Sequence, residues 1–176
     1  MLAFPRGAHG TAEDESKVWS EVEDALAGLV TKRHREKLQD DTLTAMRGYL
    51  TTLGLDVSKL SVVHVAGTKG KGSTTTMVES MLRSKGYTTG LFTSPHLVDV
   101  RERIRINGQV LPIPDFASHF WRVHGALSAS GEPMPGYFRF LTCLAFEVFC
   151  KSKLDVVVLE VDFEPPSRRA LDPFET

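Results

Sequence analysis

Three glycines and two lysines share the eleven residues HVAGTKGKGST, from His64 to Thr74. Glycine lets backbone N–H groups come close to a ligand, and two ammonium groups in one turn repel each other unless an anion lies between them. Phosphate is the expected occupant. The general phosphate-loop spacing G-x-x-x-x-G-K-[ST] is met by Gly70-Lys71 and broken twice, with Val65 in place of the first glycine and Gly72 in place of the hydroxyl residue. Ser73 and Thr74 follow one and two positions late. The chemistry survives these departures, since backbone donors and a helix N-terminus surround the phosphates, Lys71 reaches their β- and γ-oxygens, and a hydroxyl stands nearby. The plainer alternative is a tight turn whose glycines serve geometry and whose lysines face water.

Such a turn needs a strand before it and a helix after it. The β-branched run SVVHVA, residues 61 to 66, predicts the strand. The helix is expected from Ser73 to Lys85, burying Met77, Val78, Met81 and Leu82 on one side and stopping at Gly86. YTTGLFTS then reads as a second strand, closing a strand, helix, strand unit. Upstream, apolar spacing predicts one helix from Asp14 to Val30. It predicts another from Thr42 to Leu53, capped by Asp40 or Asp41 and ended by a left-handed Gly54.

Downstream, VDVRERIRINGQ reads as an extended arm in which Arg101, Arg103 and Arg105 alternate toward one face before the turn signal Asn107-Gly108. Pro112 and Pro114 precede a helix with Phe116, Phe120, Val123 and Leu127 on one stripe. After the loop SASGEPMPG comes an apolar helix over residues 137 to 150, and LDVVVLEV has the continuous apolar character of a strand covered on both faces. The alternation predicts an α/β fold, a mostly parallel sheet with helices on both faces. Residues 1–13 are expected to be a flexible N-terminus, 14–161 one incomplete domain, and 162–176, with three prolines and no periodicity, a disordered tail.

Composition sets limits on function. The 176 residues are 41% apolar, enough for one core, and the formal charge of −1 provides no global field for nucleic acid or acidic membranes. No apolar run reaches the ~18 residues of a membrane span. Cys143 and Cys150 lie seven apart in an apolar stretch and read as core thiols rather than a disulfide or metal site. The start MLAFPRGAHGTA is too short in its apolar part for a secretory signal, so a cytoplasmic protein is expected, with a mitochondrial form allowed.

HVAGTKGKGST, then LFTSPHLVDVRERIRINGQ, then YFRFLTCLAF, in this order and spacing, resemble the N-terminal ATPase domain of the folylpolyglutamate synthases, relatives of the Mur ligases. TSPHL and RERIRING carry the likeness more specifically than the glycine loop, and it covers roughly residues 15 to 161. The resemblance implies a P-loop-type fold and an ATP-dependent ligase. That ligase phosphorylates the terminal carboxylate of a reduced folate and lets the amine of L-glutamate displace phosphate. By the same resemblance Gly67, Gly70, Lys71, Gly72 and Ser73 hold the triphosphate of ATP. Lys71 also acts in catalysis, and Ser94 and Glu160 bind Mg²⁺, with a monovalent cation such as K⁺ as a further ion. His96, Phe138 and Arg103 face the folate. A monomer without nucleic-acid or membrane partners is implied.

The chain departs from the family after Glu160-Val161, where DFEPPSRRALD stands in place of a glycine-rich turn. A later histidine metal ligand, a lysine beyond it and the second domain are expected to be missing. This predicts a fragment, by truncation, splicing or gene prediction, whose ligase activity is weak or absent. Two other readings stand beside it: a non-catalytic module that binds nucleotide or folate, and an unrelated phosphotransferase sharing only the loop.

Overall fold

The computed structural model describes residues 11–32 and 42–162. The first helix, α1 (Ala12–Lys32), starts where Thr11 and Asp14 cap each other, the Thr11 N–H and hydroxyl both donating to Asp14 Oδ2. Its buried stripe is Val22, Leu26 and Leu29, as the spacing predicts. Helix α2 (Thr42–Thr52) ends with Gly54 at φ 65° and Leu55 N–H donating to Leu50 C=O, the left-handed stop expected there. The predicted caps Asp40 and Asp41 lie outside the described residues, as do residues 1–10 and those beyond Asp162.

Five strands form one mixed sheet in the order β1-β5-β2-β3-β4. Strands β1 (Val62–Gly67) and β2 (Thr89–Phe92) both run parallel to β5 (Val156–Asp162), which lies between them. The hairpin β3 (Ile104–Ile106) and β4 (Gln109–Val110) adds two antiparallel strands beyond β2. Its turn is Asn107-Gly108, with φ of 50° and 75°, the left-handed pair that this dipeptide favours. The α/β fold with helices on both faces is therefore present, its parallel part confined to three strands.

The two faces are built differently. Helix α3 (Lys71–Ser84) covers one. On the other, α4 (Ile113–Ala129) and α5 (Tyr137–Lys151) form the main core with α1 and α2, Phe116, Phe120, Phe140 and Phe149 being wholly buried. Side chains on β5 alternate accordingly: Val157 and Leu159 join that core, while Glu160 faces the start of α3. Gly90 on β2 is needed for this packing, because a Cβ there would stand 2.9 Å from Phe149 and 2.7 Å from Leu154.

Helix α3 corrects one expectation. Met77 and Met81 are exposed, at 64% and 60%, and the buried positions are Thr75 and Glu79. Glu79 turns inward because β2 supplies a partner, the Thr89 hydroxyl donating to its Oε1 at 2.6 Å while Arg83 Nε donates at 3.1 Å. A buried carboxylate so bonded is stable where an unpaired one is not. Cys143 is a buried core thiol, as expected, whereas Cys150 is only half-buried. Burial pushes the Cys143 thiol up to about 12.

Candidate active site

The glycine turn connects β1 to α3 at the C-terminal end of the parallel strands. Gly70 adopts φ 73°, a left-handed conformation that an L side chain enters only with strain, and so the helix begins at Lys71. No side chain caps it and no acid lies in its first turn, which leaves its first N–H groups for a ligand. The hydroxyls sort themselves. Thr74 donates to Gly70 C=O, Thr75 to Lys71 and Gly72 C=O, and Thr76 to Gly72 C=O. Ser73 is exposed and its hydroxyl has no protein partner among the described residues, so it is the one of the four left to meet a phosphate oxygen.

Glu160 reaches this turn from β5. It is buried, its Oε2 accepts from the Ser94 N–H at 3.0 Å, and a Cβ added to Gly72 would stand 3.6 Å from the same oxygen. The end of β5, the segment after β2 and the start of α3 thus meet at one carboxylate. Glu160 does not end its strand, which runs on to Asp162. Among the described residues no three His, Cys, Asp or Glu side chains gather to cage a metal. Ser94 and Glu160 fit instead a hard divalent cation such as Mg²⁺, which takes oxygen ligands and needs few from protein when phosphates and water supply the rest.

The segment after Ser94 departs from the predicted extended arm. Ser94-Pro95 is a cis peptide, and Val100–Arg103 is a short 3₁₀ helix rather than a strand. A capping box sets it: Asp99 accepts from Arg101 N–H, and Glu102 accepts from the N–H groups of Leu97, Val98 and Asp99. Those backbone bonds, Leu97 first, hold the Glu102 carboxyl below its ordinary value. The three arginines consequently do not share a face. Arg101 pairs with Asp99 at 2.7 Å and lies 5.0 Å from the Trp19 ring, and Arg105 Nε donates to Glu102 C=O. Arg103 is buried, its Nε donating to His96 Nδ1 at 2.8 Å and its Cζ standing 5.8 Å from the Tyr137 ring centroid.

Phe138, in the first turn of α5, is 45% exposed with its ring 6.3 Å from Phe92. The structure thus gathers the predicted residues in two groups. Gly72 of the glycine turn meets Glu160, which the Ser94 N–H holds, while Arg103 joins His96 in the next segment and Phe138 lies against Phe92. Sequence reasoning missed Tyr137, a ring under a buried cation, and the Asp99-x-x-Glu102 box, although the box spacing was visible in VDVRE.

No protein-family profile matches the chain. Curated relatives do: it is 50% identical over 140 residues to "Folylpolyglutamate synthase, mitochondrial" of Bos taurus, covering 75% of this chain and 24% of that protein. The chain belongs to the folylpolyglutamate synthase family. Solved structures agree. The Mycobacterium tuberculosis folylpolyglutamate synthase complexed with ADP superposes with a TM-score of 0.73 at 28% identity, over 84% of this chain and 33% of that one. The bifunctional folylpolyglutamate synthase/dihydrofolate synthase of Yersinia pestis, complexed with AMPPNP and Mn, gives 0.68 at 29% identity, over 80% and 33%. The chain spans about a quarter of the length of the curated folylpolyglutamate synthases it matches. No described helix is long and apolar enough to cross a membrane.

Proposed function

We propose that this chain supplies the triphosphate and metal end of an ATP-dependent ligase that adds L-glutamate to a reduced folate. One observation carries the reading: the Glu160 carboxylate, held by Ser94 N–H at 3.0 Å, stands over the uncapped start of α3 beside Gly72. Gly67 and Gly70 shape the turn, the N–H groups of Lys71, Gly72 and Ser73 meet the phosphates, and Lys71 meets the charge that develops on the transferred group. Ser94 and Glu160 would hold Mg²⁺, which supplies charge neutralisation between two anions that must come together. Its fit rests on a buried carboxylate that the Ser94 backbone N–H holds beside the start of α3. A carboxylate becomes an acceptor for an amine only once phosphorylated, so the site must also keep water from the acyl phosphate. His96, Arg103 and Phe138 form the folate side, the exposed Phe138 ring offering a flat surface for a pterin. The protein acts as a monomer in the cytoplasm or mitochondria.

The 176-residue polypeptide is expected to bind Mg-ATP through the uncapped start of α3. A nucleotide-binding module without catalysis is the second reading, and the same uncapped helix start serves it equally. Calorimetry with Mg-ATP on the wild type and Lys71→Ala tests both. Loss of at least about tenfold in affinity, ~1.4 kcal/mol, is expected from removing a charge-assisted phosphate contact. Unchanged affinity removes the loop from the account, and steady glutamate-dependent ADP release by the wild type overturns the second reading.

A further inference from the structure

Arg103 is a cation in an uncommon setting. Only 9% of it is exposed, and no carboxylate pairs with it among the described residues, whereas Arg83, Arg101 and Arg122 each have one. Its two contacts, His96 Nδ1 at 2.8 Å and the Tyr137 ring at 5.8 Å, fix the guanidinium plane and occupy one of its five N–H donors. The four Nη hydrogens donate to no described protein atom. Burying a charge without an opposite charge is strongly destabilising, so such a group is retained where a ligand completes it. Its place says which ligand. Arg103 C=O accepts from Thr93 N–H at 3.0 Å, which puts the residue directly across from the one that precedes Ser94. The backbone of Arg103 therefore sits beside the end of β2, in a different segment from the phosphate turn, with the exposed Phe138 next to Tyr137 in α5.

We propose that the Arg103 guanidinium is a built seat for a carboxylate of the acceptor, which its two Nη groups grip as a fork beside the end of β2. This rests on the folate-ligase reading, in which the acceptor is a flat aromatic body carrying carboxylates. The guanidinium fork matches a carboxylate or a phosphate in geometry. The carboxylate is favoured because α3 and Lys71 already receive the phosphates and because Arg103 is flanked by aromatic and imidazole rings with no second cation.

The test is NMR of the Arg103 Nε–H signal in the 176-residue chain, with p-aminobenzoyl-L-glutamate as the probe, its diamide as the uncharged twin, and inorganic phosphate as the competing anion. Saturable shifts with the dicarboxylate are expected, with at least tenfold weaker binding of the diamide and no saturation by phosphate over the same range. Arg103→Gln should weaken the dicarboxylate at least tenfold and leave Mg-ATP affinity unchanged. Equal binding of the diamide, tighter binding of phosphate, no response to the dicarboxylate, or unchanged affinity in Arg103→Gln each overturns the seat. If the variant does not fold, the comparison of dicarboxylate and diamide on the wild type decides alone. Mg-ATP titration of the same sample is read separately: absent ATP binding overturns the ligase reading, whereas ATP binding without a carboxylate response overturns only the seat.

Discussion

Replacing Gly72 with alanine should make the free chain more stable and its nucleotide binding worse. Gly72 is the second residue of α3 and its φ lies outside the left-handed range, so alanine meets no backbone strain. The added Cβ would stand 3.6 and 3.9 Å from the Glu160 carboxylate oxygens, ordinary contact distances that require nothing to move. Removing a glycine from a compatible position stabilises by ~0.4–1 kcal/mol, chiefly through the unfolded chain. For a domain of this size that is about 1–4 °C in Tm. Liganded, the same methyl occupies space between the helix start and the carboxylate, where an ion at ~2.1 Å from oxygen and a phosphate must both fit. A loss of at least about tenfold in Mg-ATP affinity is expected, ~1.4 kcal/mol. Thermal denaturation with and without Mg-ATP reads both effects on one sample. Raised Tm with unchanged affinity would mean that Gly72 does not face the nucleotide, and lowered Tm would mean that the local packing is misjudged. Gly70→Ala is the contrast, since φ 73° costs a non-glycine residue ~1–2 kcal/mol before any ligand is added.

A buried carboxylate far from the loop gives a pH-dependent prediction. Glu147 on α5 is buried with both oxygens lacking an aligned hydrogen bond, and faces Arg122 Nε at 3.1 Å and His119 Nδ1 at 3.6 Å from α4. Burial pushes its carboxyl up, but the facing His119 and the charges of Arg122 and Lys151 outweigh burial and hold it below the ordinary value. A depressed carboxylate contributes stability above its unfolded pKa that is lost as pH falls through the folded one. Arg122→Ala should therefore cost ~1–3 kcal/mol in urea unfolding near neutral pH, and the cost should shrink as pH falls through the lowered value of the Glu147 carboxyl; a pH-independent cost would contradict this. Thiol labelling in the native state should reach half-buried Cys150 before Cys143, whose thiol burial pushes up to about 12 and which should react only on unfolding.

Much of the framework was legible because its signals are local. Gly54 and Asn107-Gly108 mark left-handed positions by residue type, and the stripe Phe116, Phe120, Val123 and Leu127 marks a core face by spacing alone. The failures needed knowledge of partners. Spacing on α3 favoured Met77 and Met81 for the interior, but the Thr89 hydroxyl on β2 made Glu79 the better-satisfied buried residue. In RERIR, alternating charge suggests a strand throughout, and only the bonds to Asp99 and Glu102 turn its first three residues into the end of a 3₁₀ helix, leaving Arg105 in β3 and each arginine in a different surrounding. For the candidate site, residue types marked the phosphate turn. The meeting of Glu160 with Ser94 depends on β5 lying between β1 and β2, an order that the chain sequence does not spell out.

The central claim is that Ser94 and Glu160 hold a divalent cation against a triphosphate seated on residues 70 to 73. A crystal structure of the chain with Mn²⁺ and a non-hydrolysable ATP analogue tests it most directly. The account predicts anomalous density for the ion at about 2.0–2.2 Å from a Glu160 oxygen and the Ser94 hydroxyl, with phosphate oxygens on the N–H groups of Lys71, Gly72 and Ser73. Nucleotide bound elsewhere, or an ion that touches neither side chain, would contradict it.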